Sequence, residues 1–121
     1  MLEITLPWPP SLNSYWRSVP GKGVLISKDG RDYRERIIAM AVAQKWQSFG
    51  SQRIKVEIEA WMPDRRKRDL DNLLKSVLDC MTKAGVWDDD SQIDDLRIVR
   101  APHIGGMLKA RISAIHDLID D

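Results

Sequence analysis

Cysteine occurs once, at Cys80, and histidine twice, at His103 and His116, in 121 residues. A lone thiol excludes an internal disulfide and a cysteine cage for zinc, and it fits a reducing cytoplasm. Two histidines are too few for a histidine-rich metal centre, so any metal must be held by carboxylates. No run approaches the roughly 20 apolar residues of a membrane span, so no membrane is expected among the partners. The start, Met1-Leu-Glu-Ile-Thr-Leu, lacks the basic residues and apolar run of an export signal. Repeats, low-complexity stretches and a dividing linker are also missing, so residues 1–121 are expected to form a single domain. The chain has almost no net charge either, a formal +1.

That near-neutrality hides a segregation of charge. Residues 64–95 hold nine of the 18 acidic residues in about a quarter of the chain. A surface built only for solubility interleaves its signs. The densest stretch is Asp64-Arg-Arg-Lys-Arg-Asp-Leu-Asp-Asn-Leu-Leu-Lys75, followed downstream by Asp88-Asp89-Asp90 and Asp94-Asp95.

The hydrophobic pattern gives the elements. Leu2, Ile4 and Leu6 alternate with polar neighbours as a strand, ended by Pro7-Trp-Pro-Pro10. Residues 11–23 are turn-rich, residues 24–26 fit a short strand, and Asp29-Gly30 is expected to turn. Over 31–49, Tyr33, Ile37, Ile38, Ala41, Val42 and Trp46 fall on one helical stripe, with Gly50 as the expected cap. Ile54 to Met62 alternate as the clearest strand, stopped by Pro63. Leu70, Leu73, Leu74, Val77, Leu78 and Met81 form a second helical stripe that closes at Gly85, with Asp69 at the N-cap position. Leu96, Ile98 and the alternation from Leu108 to Ala114 predict a last pair of strands joined near Gly105-Gly106. The order is roughly β(β)αβαββ, an α/β or α+β domain with two helices on one small mixed sheet.

The second helix carries the chemistry. Asp69 lies at its mouth and Asp71 in its first turn, where unpaired N–H groups and the dipole favour carboxylates and phosphates. Lys75 follows Asp71 by four residues and shares its face, away from the leucine stripe. Neighbouring carboxylates repel unless a cation sits between them, and a hard divalent metal does so. Asp89 or Asp90 is expected to reach the same cleft from the loop after the helix. Arg65, Arg66, Lys67 and Arg68, with Asn72 just behind, are the expected DNA contacts. A metal beside gripped phosphates is the chemistry of phosphodiester hydrolysis, with Lys75 offsetting developing charge.

Each part has an ordinary structural reading. Asp69 can be a cap, Asp71 and Lys75 a surface ion pair, the basic run a solvated turn and the aspartates an exposed loop. Trp8, Trp46 and Trp61 suit the core or a sheet face. Tyr15 and Trp16 suit ordinary packing or stacking on an unpaired base. Cys80, His103 and His116 need no chemical role.

The chain resembles the RusA-type Holliday junction resolvases over nearly its whole length. The resemblance rests on Leu6-Pro-Trp-Pro-Pro-Ser-Leu-Asn13, Met62-Pro-Asp-Arg-Arg-Lys-Arg-Asp-Leu-Asp-Asn72, Lys75, Thr82-Lys-Ala-Gly85, Trp87 and Asp89-Asp90. It implies a small homodimeric endonuclease, often encoded by prophages, that nicks two opposed strands of four-way junction DNA using Mg²⁺ or Mn²⁺ and no organic cofactor. By position, the metal-binding aspartates are Asp69, Asp71 and Asp90, and the catalytic lysine is Lys75. A dimer also follows from symmetry, because paired cuts need two sites and one chain carries one carboxylate cluster. Two alternatives stay open: a junction-binding protein without catalysis, and a metal nuclease of flaps or single strands.

Overall fold

The computed structural model describes residues 1–118 of the 121. In chain order the elements are β1 (Leu2–Pro7), the short helix α1 (Leu12–Tyr15), β2 (Trp16–Val19), β3 (Gly23–Ile26), α2 (Lys28–Gln44), β4 (Ile54–Trp61), α3 (Asp71–Lys83), β5 (Ile93–Arg100) and β6 (Met107–Ala114). Single 3-10 turns span Asp90–Gln92 and Ile115–Leu118. This is the expected α+β class, with two main helices and a mixed sheet.

The sheet runs β1-β6-β4-β5, with β2 and β3 a separate two-stranded ribbon. β4 is central. Its even residues Ile54, Val56, Ile58 and Ala60 are buried at 0–2% exposure, and they meet Tyr33, Ile37, Leu73, Val77 and Met81 from α2 and α3. Each of the isoleucine, valine, leucine and methionine side chains contributes about 1.5–3 kcal/mol by leaving water. The opposite face stays open and polar. Lys55 pairs there with Glu57 at 2.9 Å, and Arg111 reaches Glu3 at 3.7 Å.

The last two strands are not a hairpin. β5 runs parallel to β4, while β6 runs antiparallel to β4 on its other side. The α3 crossover delivers β5 parallel to β4, which leaves the other edge of β4 to β6. The connection then steps over the end of β4. Gly105 N–H donates to Met62 O at 2.9 Å and Gly106 N–H to Trp61 O at 2.8 Å. Gly106 takes φ 74°, which favours glycine.

Helix α2 begins at Lys28, so Asp29-Gly30 is its first turn rather than a separate turn. Ser27 caps it, accepting from Gly30 N–H at 3.0 Å. Glycine is required at 30 because a Cβ would run into the Tyr15 carbonyl oxygen. The helix stops at Gln44, earlier than 49, because Lys45 turns left-handed at φ 53° and takes the cap expected of Gly50. Val42, assigned to the apolar stripe, is 75% exposed. The stretch expected to be turns also folds further, into α1 and the β2–β3 ribbon.

Three elements are tied by one partly buried cluster. Tyr15 donates its hydroxyl to Asp79 Oδ2 at 2.6 Å, and Arg34 Nη2 donates to the same oxygen at 2.7 Å. Tyr15 is fully buried, so it serves packing rather than a bound base. Cys80, also buried, lies 3.3 Å from the Tyr15 hydroxyl.

Candidate active site

Helix α3 presents two unlike surfaces. Leu73, Val77, Cys80 and Met81 face the core, while Asp71, Asn72 and Lys75 face solvent. Asp69 is exposed just before the helix. The N-cap is Leu70, with no side-chain cap, so Asp69 does not cap. Among the described residues none forms an ion pair or side-chain hydrogen bond with Asp69, Asp71 or Lys75. The surface ion pair between Asp71 and Lys75 is therefore absent. These groups stand free where the helix dipole is positive.

The basic loop before them is organised by Asp64. Its carboxylate accepts from Arg66 N–H at 2.9 Å and from both terminal nitrogens of Arg68. The Arg68 hydrogen bond, then the Arg66 N–H, hold the Asp64 carboxyl well below the usual carboxylate range. Arg68 turns inward, its guanidinium 5.9 Å from the Trp8 ring centre. Arg65, Arg66 and Lys67 remain exposed. Arg100, at the end of β5, donates to Arg68 O at 2.9 Å and fastens the loop to the sheet.

Beside this loop lies an open groove of about 370 Å³, bordered by Asp64, Arg65, Arg66, Arg100, His103 and Ile104. His103 stacks on Trp61 at 6.2 Å between ring centres. Sequence spacing hides this neighbour, since 38 positions separate His103 from Arg65. Only the crossing of the connection over β4 brings them together.

Asp90 is elsewhere. It begins the 3-10 turn after α3, and its carboxylate accepts from Trp87 Nε1 at 3.0 Å and from the Thr82 hydroxyl. Thr82 belongs to the last turn of α3, and Asp71 opens that helix. At about 1.5 Å per residue the two ends are roughly 16 Å apart. Gln92 locks the acidic loop in place, accepting from Asp88 and Asp89 N–H and donating to Gly50 O and Gln52 O. The expected return of Asp89 or Asp90 to the cleft at Asp71 does not occur within one chain. Accordingly, among the described residues no group of three acidic, histidine or cysteine side chains is arranged to hold a metal.

Unpartnered carboxylates and a lysine at a helix start, beside the exposed Arg65, Arg66 and Lys67, are a set suited to phosphate chemistry on an α+β domain. The sequence profile of the endodeoxyribonuclease RusA family matches residues 7–113. The chain is 44% identical over 112 residues to the crossover junction endodeoxyribonuclease of Enterobacteria phage 82, covering 92% of each. It is 45% identical over 113 residues to the crossover junction endodeoxyribonuclease RusA of Escherichia coli K12, again 92% of each. To the crossover junction endodeoxyribonuclease of Enterobacteria phage HK97 it is 38% identical over 117 residues, 96% of this chain and 97% of that one. The chain belongs to the RusA endodeoxyribonuclease family. Among the described residues no helix is long and apolar enough to cross a membrane.

Proposed function

We propose that this chain is a structure-specific endodeoxyribonuclease that resolves four-way DNA junctions by paired symmetric nicks, in recombination and repair. The names of its relatives support the substrate. The observation that carries the chemistry is the free trio Asp69, Asp71 and Lys75 at the start of α3, beside the exposed Arg65, Arg66 and Lys67. The arginines and Lys67 hold flanking phosphates, with Asn72 as a further contact, and the helix N-terminus favours an anion between them. Lys75 neutralises charge that develops on the phosphate as it is attacked.

Mg²⁺ or Mn²⁺ is the proposed cofactor, and when bound it would acidify a water and stabilise the leaving oxygen. One chain does not supply a complete ligand set, because Asp90 lies at the far end of α3. We infer that the working unit is a homodimer in which Asp69 and Asp71 of one subunit are joined by Asp90 of the partner subunit. Two such sites, related by a two-fold axis, match the two cuts of a junction.

A labelled four-way junction, a duplex and a flap, each with and without Mg²⁺, test the substrate and the metal. Cutting of the junction in EDTA removes the metal, and preference for the flap favours the alternative nuclease. Mixing Asp71→Asn with Asp90→Asn tests the shared site. A mixed dimer then holds one intact site and regains single nicks, whereas sites built within one chain stay dead.

A further inference from the structure

We infer that the connection between β5 and β6 is a wedge that holds an unstacked base of the junction's branch point, with the base on the open face of His103 and Ile104 filling the gap it leaves. The inference rests on the junction reading above and names what in this chain tells a branch point from plain duplex.

The connection is tethered along its length. Ala101 N–H donates to Ala60 O at 2.9 Å, Gly105 N–H to Met62 O at 2.9 Å and Gly106 N–H to Trp61 O at 2.8 Å. Gly105 packs so closely that a Cβ there would lie 3.1 Å from the Trp61 Cβ. Between these ties Pro102, His103 and Ile104 stay exposed, Ile104 by 50%. Apolar surface held in water on a fixed tip is unfavourable until something covers it.

His103 is braced from behind. Its ring stacks on Trp61, with 6.2 Å between centres and 28° between planes. Trp61 is fixed in turn. Its Nε1 donates to Glu59 Oε1 at 2.6 Å, and Lys109 Nζ lies 4.8 Å from its ring centre. One face of the imidazole therefore rests on a held indole, and the other is open to solvent. A flat ring with an open face is a platform for a nucleobase, and histidine serves in this way.

The charge around the tip selects the occupant. Its groove is shared with Arg65, Arg66 and Arg100, and its acid, Asp64, is neutralised by Arg68. Among the described residues the exposed large apolar side chains are Met1, Val24, Val42, Leu96 and Ile104, and of these Ile104 alone lines this groove. Cations beside an aromatic and apolar tip fit a nucleic acid, with backbone on the arginines and a base on the ring. Arg100 also holds the carbonyl of Arg68, next to Asp69, so the tip sits beside the cutting site.

The base must leave its stack to reach the tip. Inside a duplex both of its faces are covered, and extruding it is costly. At a branch point stacking is interrupted, so the cost is lowest there. Apolar side chains commonly enter such a gap between base steps. The tip therefore favours junctions over duplex without reading sequence, whereas the arginines grip both.

The test measures binding of the full chain, in EDTA, to a four-way junction and to a linear duplex. The double variant His103→Ala with Ile104→Ala should melt near the native temperature, because both side chains are exposed. It should bind the junction about fivefold or more weakly, with duplex affinity and salt slope unchanged. His103→Phe keeps a stacking ring and should stay within about twofold of native on the junction. 2-Aminopurine beside the branch point brightens when it leaves neighbouring bases, so the native chain should brighten it and the double variant should not. Native junction affinity in the double variant overturns the wedge. Equal losses on junction and duplex, a flattened salt slope, or no brightening by the native chain overturn it too, and leave the tip a backbone contact or a bystander. A native chain that binds junction and duplex equally tightly overturns the junction reading itself.

Discussion

The indole N–H of Trp87 donates to Asp90 Oδ1 at 3.0 Å, sharing its proton with Thr82 Oγ1 at 2.7 Å. The ring itself is buried at 1% exposure, so a fixed core residue aims an exposed carboxylate. Trp87→Phe keeps an aromatic ring in place but removes the donor. Its expected outcome is a folded protein that binds junctions with near-native affinity and cuts them about tenfold or more slowly, because Asp90 is no longer held in one rotamer. Single-turnover cleavage beside a binding titration measures the split. Equal losses in binding and cutting would instead point to a damaged core.

Lys75 separates catalysis from scaffolding. It has no partner in its own chain among the described residues, so Lys75→Ala should leave the melting temperature within about a degree of native, as for an exposed surface change. Junction binding should persist, while single-turnover cleavage falls on the order of a hundredfold, because the ammonium acts on charge present only in the transition state. Lys75→Arg should rescue only in part, since its fork is wider than a compact ammonium. Near-native cutting by Lys75→Ala returns the residue to the ordinary helix surface.

The basic loop divides into gripping and structural cations. Replacing Arg65, Arg66 and Lys67 together with alanine should weaken junction binding and flatten its salt dependence, by about one unit of log–log slope for each phosphate no longer neutralised. Arg68→Ala should act differently, lowering thermal stability as well, because Arg68 binds Asp64 and lies over Trp8. An unchanged salt slope in the triple variant makes the run a solvated turn.

Alkaline pH should weaken the fold through Cys80. Burial pushes this thiol from an ordinary value of 9.0 up to about 11. The folded state keeps a proton that the unfolded chain releases above pH 9, so stability falls as pH rises from 9 toward 11. The loss is at most about 2–3 kcal/mol for a shift of this size. Burial of Tyr15 and Tyr33 raises their phenols and adds a decline of the same sign above pH 10. Denaturant midpoints at about pH 7, 9 and 10 for native and Cys80→Ala chains check this. Identical declines over the upper part of that range would remove Cys80 from the account.

Much of this protein was decided locally. The alternation from Ile54 to Met62 and the stripe from Leu70 to Met81 each specify one element, because period and burial coincide within a few residues. The same stretch placed Asp71 and Lys75 on the solvent face of α3, since four residues make about one helical turn. Local pattern failed where a distant partner prevailed. Asp29-Gly30 turns in most contexts, but Ser27 caps it into a helix that packs against the Tyr15 carbonyl. β5 and β6 are close in sequence, yet β4 lies between them, because a βαβ crossover delivers β5 parallel and leaves the other edge of β4 to β6. The position of Asp90 was the most tertiary question of all. Its neighbours Thr82 and Trp87 stand in the sequence, but nothing there tells which end of α3 they occupy relative to the sheet. A helix is a rigid rod, and its length keeps the carboxylates at its two ends apart.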